Sequence, residues 1–501
     1  MKIIGAEEAR ALDARTIAAG TPGIVLMERA AAAVAREVVR AISSRPERAG
    51  RVVVLAGTGN NGGDGFETAW LLAHGPGISR VETLLVGRDV RVSGDAAEML
   101  RRLRKSGGFF RMVENVRDLG PLAQATLIVD ALFGTGLSRP IEDPIAMQAV
   151  EIASAGRAFV VAVDVPSGLN AGKSELWHPH VRADVTVTFG LPKTVHAHLP
   201  SAAACGRIVV ADIGLAPIPE SRDDAVEAVV AEDIAPLFPR RRADSHKGTY
   251  GRVGVIGGSL PYRGAVALAA RAAHRSGAGL VTVVADEEIR SLVHAVSPET
   301  TSLPAGADPS GFDALAVGPG LGTGDGRREV VERIVALEVP AVFDADALNV
   351  LAGEPRLFRR KAPTVLTPHP GEAARLLGMS TENVNAGRVD VARRLALESG
   401  AAVVLKGFRS VVADPRGRAA LVLAGNPGMA TGGTGDVLTG VVASFLARGL
   451  SPYDAARAAA FLHGSAGDLA REAKGEDALL GSDLVDFLPE AFFLIAEGRP
   501  R

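Results

Sequence analysis

Three short segments in the first half of the chain combine glycines with carboxylates directly after apolar runs. They are residues 57–65 (GTGNNGGDG), 130–137 (DALFGTGL) and 163–168 (VDVPSG). Glycine lets the backbone approach a ligand closely, and a helix that begins after such a loop favours phosphate. Asn60, Asn61 and Asp64 stand where the dinucleotide fingerprint GxGxxG needs small residues, and asparagine amides can bind phosphate or a cation. Together the segments predict a small-molecule site with one aspartate from each loop.

The second half carries a lysine and a glycine-rich helix start that suit phosphoryl transfer. Lys406 directly follows the apolar run 403–405, and residues 426–436 (NPGMATGGTGD) lead into a helical pattern. Successive backbone N–H groups at a helix start attract anions, and a lysine at a strand end can contact phosphate. Asp436 stands beside these groups and could take a proton from an attacking hydroxyl group. Neither a Walker A motif nor the protein-kinase motifs are present, so a different kind of phosphoryl-transfer site is predicted.

Four other clusters follow apolar runs of the second half. They are residues 257–259 (GGS), 318–322 (GPGLG), 344–349 (DADALN) and 367–372 (TPHPGE). A helical pattern rich in alanine begins at Tyr262, and its small residues leave room for a ligand. His369 lies between two prolines, a setting that fits a structural turn as well as a ligand contact.

The elements that must position these residues are short apolar strands that alternate with helical patterns. Strands are predicted over residues 51–56, 81–86, 126–130, 158–164, 184–189, 207–212, 252–256, 279–285, 313–317, 340–344, 364–367, 401–405 and 410–413, and helical patterns over residues 7–19, 24–42 and from 434 onward. Buried runs joined by helices indicate parallel sheets that are covered on both faces and bind ligands at their carboxyl edges. The fold class is therefore α/β in two unlike domains, residues 1–215 and 226–501. A polar, proline-rich linker is predicted over residues 216–225.

Composition argues against several classes of protein. Of the 501 residues, 47% are hydrophobic and 22% charged, with a formal net charge of −2, which argues against disorder and against nucleic acid as the main partner. Charged residues interrupt each apolar run well before the roughly 20 residues that a membrane span needs. Glu7, Glu8 and Asp13 stand where a signal peptide needs apolar residues, and the lone Cys205 suits a reducing compartment. A cytoplasmic protein is therefore expected.

Four segments of the first half, GNNGGDG, VDALFGTGL, AVDVPSGLN and ADVTVTFGLPK, resemble the NAD(P)H-hydrate epimerases over nearly all of residues 1–215. The resemblance implies a Rossmann-like three-layer domain that interconverts the C6 epimers of hydrated NADH or NADPH, with Asp164 as the proton-transfer group at the nicotinamide ring. It implies a bound K⁺ held by Asn61, Asp130 and Ser167, whose oxygen atoms fit this hard ion. The residues that it implies for the dinucleotide are Asn60, Asn61, Gly62, Gly63, Asp64, Gly134, Thr135, Gly136, Leu137, Ser138, Arg139, Pro140 and Asp164.

The segments DADALN, TPHPGE, LKG and NPGMATGGTGDVLTG resemble the ADP/ATP-dependent NAD(P)H-hydrate dehydratases, which have a ribokinase-like α/β fold, over about residues 225–490. The resemblance implies that Asp436 is the catalytic base and that the hydrate contacts Ala265, Gly320, His369 and Asp436. It implies that the adenine nucleotide contacts Lys406, Gly407, Phe408, Arg409, Ser410 and Gly435. It favours ADP as co-substrate, giving AMP and phosphate, leaves ATP open, and implies Mg²⁺ with the nucleotide.

The two halves together resemble the bifunctional NAD(P)H-hydrate repair enzymes, which combine an isomerase and a lyase. Hydroxide is a poor leaving group, so phosphorylation of the C6 hydroxyl would let the ring nitrogen expel phosphate instead. Because the dehydratase accepts only the (S)-hydrate, the first domain would supply it from the other epimer. The alternative is a ribokinase-like small-molecule kinase with a dinucleotide-binding but non-catalytic N-terminal domain. The resemblance also implies a homo-oligomer, and it leaves the preference between NADH and NADPH hydrates open.

Overall fold

The computed structural model describes residues 1–75, 78, 80–217 and 226–497. The chain forms two compact units: residues 2–221 form one, and residues 222–501 with Met1 form the other. From residue 218 onward, the linker predicted at residues 216–225 lies outside the described residues. In the described ranges, no helix is long and apolar enough to cross a membrane.

The first unit contains a seven-stranded sheet in which every strand is parallel to its neighbours. Its strands are β1 (Val52–Ala56), β2 (Val81–Val86), β3 (Phe109–Val113), β4 (Leu127–Ala131), β5 (Phe159–Val163), β6 (Val185–Phe189) and β7 (Arg207–Ala211). Their spatial order is β3-β2-β1-β4-β5-β6-β7. From β1 the chain builds the sheet toward one edge through β2 and β3, and it then returns to the other side of β1 with β4 and builds toward the opposite edge. Ligands of such sheets bind at the carboxyl edge beside this reversal. The three glycine-rich loops follow β1, β4 and β5, which are neighbours in the sheet, and so share this edge.

Helices cover both faces of this sheet. They are α1 (Ala6–Ala18), α2 (Gly23–Ser44), α3 (Asn60–His74), α4 (Gly94–Lys105), α5 (Gly120–Ala123), α6 (Pro144–Ala155) and α7 (Thr194–Ala197). Val52 and Val54 of β1 belong to the core shared with α2, α3 and α4, whereas Val53 and Leu55 belong to the core shared with α5 and α6. A strand that is buried on both faces must be apolar throughout, as β1 is. The expected three-layer α/β fold is confirmed.

The second unit contains a ten-stranded sheet that is parallel except for one strand. Its strands are β8 (Val226–Val229), β9 (Arg252–Ile256), β10 (Leu280–Ala285), β11 (Thr301–Pro304), β12 (Ala314–Val317), β13 (Ala341–Phe343), β14 (Thr364–Leu366), β15 (Ala402–Leu405), β16 (Val411–Ala413) and β17 (Ala419–Val422). The spatial order is β11-β10-β9-β12-β13-β14-β15-β16-β17-β8, and β16 is antiparallel to both of its neighbours. The carboxyl ends of β9 and β12–β15 therefore lie along one edge of the sheet.

Helices surround this sheet as well, and the last three follow one another at the C-terminal end of the unit. They are α8 (Ala231–Ile234), α9 (Arg263–Arg275), α10 (Glu287–Val296), α11 (Arg327–Val335), α12 (Asp346–Asn349), α13 (Pro370–Leu377), α14 (Thr381–Ala386), α15 (Arg388–Ser399), α16 (Thr434–Ala447), α17 (Pro452–Lys474) and α18 (Gly481–Glu497). Gly440 lets α16 approach α9 closely, because a Cβ at this position would lie 2.0 Å from the carbonyl oxygen of Ala269. This contact fixes the helix whose first turn carries Gly435 and Asp436.

Candidate active sites

Asp164 lies at the carboxyl end of β5 in a strained backbone conformation that its contacts hold in place. Its φ is +63°, which is rare for a residue with a side chain. Its Oδ1 accepts hydrogen bonds from Lys193 Nζ at 2.7 Å and from Thr188 Oγ1 at 2.9 Å. Its carbonyl oxygen lies 3.0 Å from Nε2 of His196. The carboxylate is therefore held in one orientation by an ion pair and a hydroxyl group.

The charge of Asp164 is stabilised by these same contacts. Burial raises the pKa of this carboxyl, but the positive charge and hydrogen bond of Lys193 lower it more, with smaller contributions from His196 and Thr188. The pKa of Asp164 therefore lies below its ordinary value. Lys193 itself is only 3% exposed, and a lysine so deeply buried requires a partner. No role was predicted for Lys193 from the sequence, although it is the last residue of the segment ADVTVTFGLPK.

Three more carboxyl groups share a cavity of about 140 Å³ with Asp164 and Lys193. They are Asp64 on α3, Asp13 on α1 and Asp95 on α4, and only Asp64 was predicted from the sequence as a site residue. Burial, followed by the negative charges of Asp164 and Asp13, raises the pKa of Asp64 well above its usual value. Burial raises the pKa of Asp13 as well. The cavity thus combines a carboxyl group whose pKa is lowered with two whose pKa is raised, and such a difference is what assigns acid and base roles in acid–base catalysis.

The other residues expected at the dinucleotide fall into three groups. The first group lines the same cavity and consists of Asn60 and Thr135. The second group is exposed and does not line the cavity: Gly136, Ser138, Arg139 and Pro140. The third group is less exposed but also lies outside the cavity lining: Gly134, Leu137, Asn61, Gly62 and Gly63. Gly62 and Gly63 allow close packing of α3: a Cβ on Gly62 would lie 1.9 Å from the carbonyl oxygen of Gly57, and a Cβ on Gly63 would lie 2.6 Å from Sδ of Met27. These two glycines are therefore needed by the fold itself.

Two of the three residues expected to bind K⁺ are in direct contact. The Oγ of Ser167 donates to Oδ1 of Asp130 at 2.6 Å, and its backbone N–H donates to Oδ2 at 2.8 Å. Asp130 is fully buried, and burial raises its pKa to about 6 despite these hydrogen bonds. Asn61 lies beside Gly134, and its buried Nδ2 has no hydrogen-bond partner in the described part of the chain. The hydrogen bonds of the described residues do not join Asn61 to the other two.

In the second unit, Lys406 stands at the centre of a cluster of carboxylates at the carboxyl edge of the sheet. Its Nζ lies 2.6 Å from Oδ1 of Asp344, which follows β13, and 3.8 Å from Oε2 of Glu372 on α13. The other oxygen of Asp344 accepts a hydrogen bond of 2.7 Å from Thr439 on α16. Burial lowers the pKa of Lys406, but Asp344, Glu372 and Asp436 outweigh it and raise the pKa above its usual value. The ammonium group therefore stays charged.

Asp436 is placed against this cluster by the first turn of α16. A Cβ on the preceding Gly435 would lie 3.3 Å from Nζ of Lys406, so the turn rests directly on the lysine. Burial raises the pKa of Asp436 to about 7, and the negative charge of Asp344 adds to this effect against the opposing charge of Lys406. A carboxyl group that titrates near neutral pH is suited to act as a general base.

The four residues expected to contact the hydrate lie in two groups. His369 is the N-cap of α13: its Nδ1 accepts from the N–H of Gly371 at 3.0 Å, and its Nε2 lies 3.3 Å from Oε1 of Glu372. Gly320 packs against Ala265, since a Cβ on Gly320 would lie 3.1 Å from the Cβ of Ala265. The structure thus brings His369 and Asp436 to one charged cluster and places Ala265 and Gly320 together.

A cleft of about 340 Å³ adjoins the cluster and contains all six residues expected to bind the nucleotide. Its lining includes Lys406, Gly407, Phe408, Arg409, Ser410 and Gly435, together with Asn426, Thr434 and His463, to which the sequence analysis gave no individual role. The guanidinium of Arg409 donates to the carbonyl oxygen of Leu423 and lies 4.8 Å from the ring of Phe408. Its side chain is buried, and its φ is +51°. The side chain of Arg409 therefore stabilises the wall of the cleft.

Comparison with known proteins identifies both units. A family model described as NAD(P)H-hydrate dehydratase matches residues 253–490, and one described as YjeF-related protein N-terminus matches residues 23–195. The bifunctional NAD(P)H-hydrate repair enzyme of Moorella thermoacetica is 39% identical over 493 residues, which cover 93% of this chain and 92% of that protein. The chain belongs to the bifunctional NAD(P)H-hydrate repair enzymes. The family expected from the sequence is thus confirmed.

Other bifunctional NAD(P)H-hydrate repair enzymes are similar over most of their length. That of Thermofilum pendens is 37% identical over 99% of this chain and 97% of its own, and that of Escherichia coli is 35% identical over 87% and 84%. Among solved structures, an ADP/ATP-dependent NAD(P)H-hydrate dehydratase of Bacillus subtilis, co-crystallised with ATP and Mg²⁺, is 33% identical with a TM-score of 0.51. The match covers 54% of this chain and 99% of that one. The ribokinase-like α/β fold expected for the second unit is confirmed.

Proposed function

We propose that this chain repairs hydrated NADH and NADPH in two steps. The first unit interconverts the C6 epimers of the hydrate, and the second dehydrates the (S)-hydrate at the expense of ADP, giving AMP and phosphate. The observation that carries the proposal is the placement of Asp436, whose pKa is about 7, against the ion pair of Lys406 and Asp344. This arrangement offers a base and a fixed positive charge at the mouth of a nucleotide-sized cleft.

In the second unit, Asp436 takes the proton of the C6 hydroxyl while that oxygen attacks the terminal phosphoryl group of the nucleotide. Lys406 stabilises the charge that develops on the phosphoryl oxygens, together with the backbone N–H groups at the start of α16. The lone pair of the ring nitrogen then expels phosphate from C6, and loss of a proton from C5 restores the dihydropyridine. Asp344 and Thr439 hold Lys406 in place throughout.

In the first unit, Asp164 removes the proton of the C6 hydroxyl so that the bond between C6 and the ring nitrogen can open. Asp64, whose pKa is raised, supplies a proton to the ring nitrogen. Reclosure on the other face of the freed aldehyde gives the opposite epimer. Lys193 keeps Asp164 ionised between turnovers.

The cations implied for this family fit the residues to different degrees. Asp130, Ser167 and Asn61 provide oxygen atoms that can bind K⁺, and the Oδ1 of Asp130 and the Oγ of Ser167 lie 2.6 Å apart. Bound there, K⁺ would supply positive charge for the anionic dinucleotide. The unpartnered Nδ2 of Asn61 can only donate, so it would face an acceptor on the dinucleotide and not the cation. Within the described ranges, no group of three or more His, Cys, Asp or Glu could hold a metal alone. Mg²⁺ would arrive with the nucleotide and use Glu372 or Asp344, since it commonly combines one or two carboxylates with phosphates.

Recovery of reduced-nicotinamide absorbance from a mixed-epimer NADH hydrate tests the proposal. With ADP, nearly all the hydrate should be recovered, because each epimer reaches the dehydratase. Recovery that stops partway would remove the epimerase activity from the proposal and leave the first unit as a binding module. Absence of recovery with either ADP or ATP would reject the repair function and favour a small-molecule kinase. A homo-oligomer remains a prediction, to be checked by light scattering.

A further inference from the structure

His463 on α17 lines the nucleotide cleft but has no part in the chemistry proposed above. Its Nε2 lies 2.8 Å from the carbonyl oxygen of Thr434, the first residue of α16. Because a carbonyl oxygen only accepts, Nε2 must carry the proton of this hydrogen bond. The other ring nitrogen, Nδ1, makes no hydrogen bond to any of the described residues. The half-buried ring therefore has one satisfied nitrogen and one that is available to a ligand.

The ring is neutral at physiological pH, which decides what Nδ1 can do. Burial lowers the pKa of His463 to about 4; the positive charge of Lys406 acts in the same direction, against the hydrogen bond to Thr434. With the proton on Nε2, a neutral imidazole presents a lone pair on Nδ1 and accepts a hydrogen bond there. It cannot donate from Nδ1 to a phosphate oxygen. The partner it fits is a hydroxyl or amino group of the ligand.

The position of His463 within the cleft favours a hydroxyl group of the ligand over an amino group as the partner of Nδ1. The hydrogen bond to Thr434 places His463 next to the start of α16, which with Lys406 and Gly435 forms the part of the cleft suited to phosphate. The remainder of the lining includes apolar residues suited to the face of a base: Val422, Leu438 and Ala460. Ala460 precedes His463 by almost one turn of α17, so both side chains lie on the same side of that helix. A residue that contacts Thr434 at the phosphate end and shares a helix face with the apolar Ala460 is placed to meet the ribose of a nucleotide.

The backbone around His463 is closely packed, which fixes the position of the ring. A Cβ on the next residue, Gly464, would lie 2.8 Å from the backbone carbonyl group of Ala424, which also lines the cleft. Asp468, one turn further along α17, accepts hydrogen bonds from the N–H of Gly425 at 2.9 Å and from Nδ2 of Asn426 at 3.0 Å. These hydrogen bonds join α17 to residues 425 and 426, which also line the cleft, and so hold His463 in position.

We propose that Nδ1 of His463 accepts a hydrogen bond from a ribose hydroxyl of the nucleotide and so selects ribonucleotides over deoxyribonucleotides in this cleft. The inference rests on the proposed function in one respect, namely that an adenine nucleotide occupies the cleft. It adds a specificity-determining contact to that function, at a residue that is not needed for proton or phosphoryl transfer.

Calorimetric binding of ADP, 2′-deoxy-ADP and 3′-deoxy-ADP to the full-length chain tests this contact. Loss of the contacted hydroxyl should weaken binding to the unmodified protein roughly three- to tenfold, the effect of one hydrogen bond. His463→Gln places an amide at the position of Nε2 and keeps the contact with Thr434, but removes the acceptor. It should weaken ADP binding by the same factor and bind ADP and the deoxy analogue equally. His463→Asn places an amide at the position of Nδ1 and should keep the preference for ADP.

His294→Gln, on the exposed side of α10, serves as the matched control and should leave all three affinities unchanged. Equal discrimination by His463→Gln and the unmodified protein would overturn the proposed contact, as would a lack of discrimination by the unmodified protein. If the unmodified protein does not bind ADP at all, the proposed function itself fails, so the two failures are distinguishable. Circular dichroism of each variant separates lost binding from lost folding. His463→Leu, which also lacks the acceptor and should also lose the discrimination, provides the readout if His463→Gln does not fold.

Discussion

The ammonium group of Lys406 lies 2.6 Å from the carboxylate of Asp344, although 62 residues separate them in the chain. The two residues directly follow β15 and β13, which are separated in the sheet only by β14. Asp344 also accepts the hydroxyl of Thr439, so the pair connects the sheet to the helix that carries Asp436. The ammonium group proposed to meet the phosphoryl group and the helix that carries the proposed base, Asp436, are therefore held by the same carboxylate.

Replacing Asp344 with Asn should shift the pH dependence of dehydration to lower pH. The negative charge of Asp344 raises the pKa of Asp436, and the base works only when ionised, so the rate of the unmodified enzyme should rise with pH through about 7. Without that charge, the pKa of Asp436 falls and the rise begins at lower pH. The pH profile of kcat/KM for the ADP-dependent step measures this shift. An unchanged midpoint would show that Asp344 does not influence the base.

Replacing Asp436 with Asn should abolish dehydration and leave epimer exchange intact. General-base catalysis typically contributes about 10² to 10⁴ in rate, and a loss of that size is expected in kcat. Steady-state assays with the (S)-hydrate and ADP measure the loss, while exchange between epimers is followed by chromatography. Asp390→Asn, at an exposed position on α15, is the matched control. Full dehydration by Asp436→Asn would exclude it as the base.

Replacing Lys193 with Met should lower the rate of epimer exchange about a hundredfold or more and shift its pH dependence upward. Asp164 would lose the cation that holds its pKa down, and burial would then raise that pKa, so a higher pH would be needed to ionise it. Removing one partner of a buried ion pair also costs about 3 to 5 kcal/mol of stability. Exchange rates against pH, with thermal unfolding as the companion measurement, test both effects. Lys193→Arg should recover part of the stability, and an unshifted pH profile in Lys193→Met would contradict the role.

Replacing Gly440 with Ala should destabilise the second unit by about 1 to 3 kcal/mol, as overpacking of a close helix contact does. The added methyl would lie 2.0 Å from the carbonyl oxygen of Ala269, so α16 must move away from α9. Scanning calorimetry measures the loss of stability, and dehydration should decline because Asp436 moves with the helix. Gly324→Ala, where a Cβ meets no atom within 4 Å, should change neither property.

Local sequence patterns predicted most of the central elements. Each of the thirteen predicted strands is present with its ends within one residue, because strands buried on both faces read as continuous apolar runs. Four strands were missed: β3, β8, β11 and β17. Phe109 and Met112 of β3 are exposed, and β11 is largely exposed at the edge of its sheet, so neither needs an apolar pattern. Ala419 and Ala420 of β17 carry little preference for a strand.

The loops that carry the sites were predicted for a similar reason, because glycine and aspartate after an apolar run are visible in the sequence alone. Partners that arrive from elsewhere in the chain are not visible in this way. Lys193 meets Asp164 across 29 residues, and Thr439 meets Asp344 across 95. Such pairs depend on which strands and helices become neighbours, and a single buried lysine or threonine has no local pattern that distinguishes it from others of its type.

The antiparallel orientation of β16 has a consequence for how a preference for one nucleotide over another could evolve. Residues 406–410 join two antiparallel strands and return into the sheet, whereas the loops after β9, β13 and β14 each lead to a helix. A hairpin brings no helix dipole to the phosphates, so the positive end of α16 and the ammonium of Lys406 must provide that field. Residues 407–410 can therefore change in length or sequence without displacing either source of charge, because Lys406 is held at the end of β15 by Asp344 and α16 lies outside the hairpin. Selection for a longer or shorter nucleotide could act on this one loop while the phosphoryl-transfer machinery remains fixed.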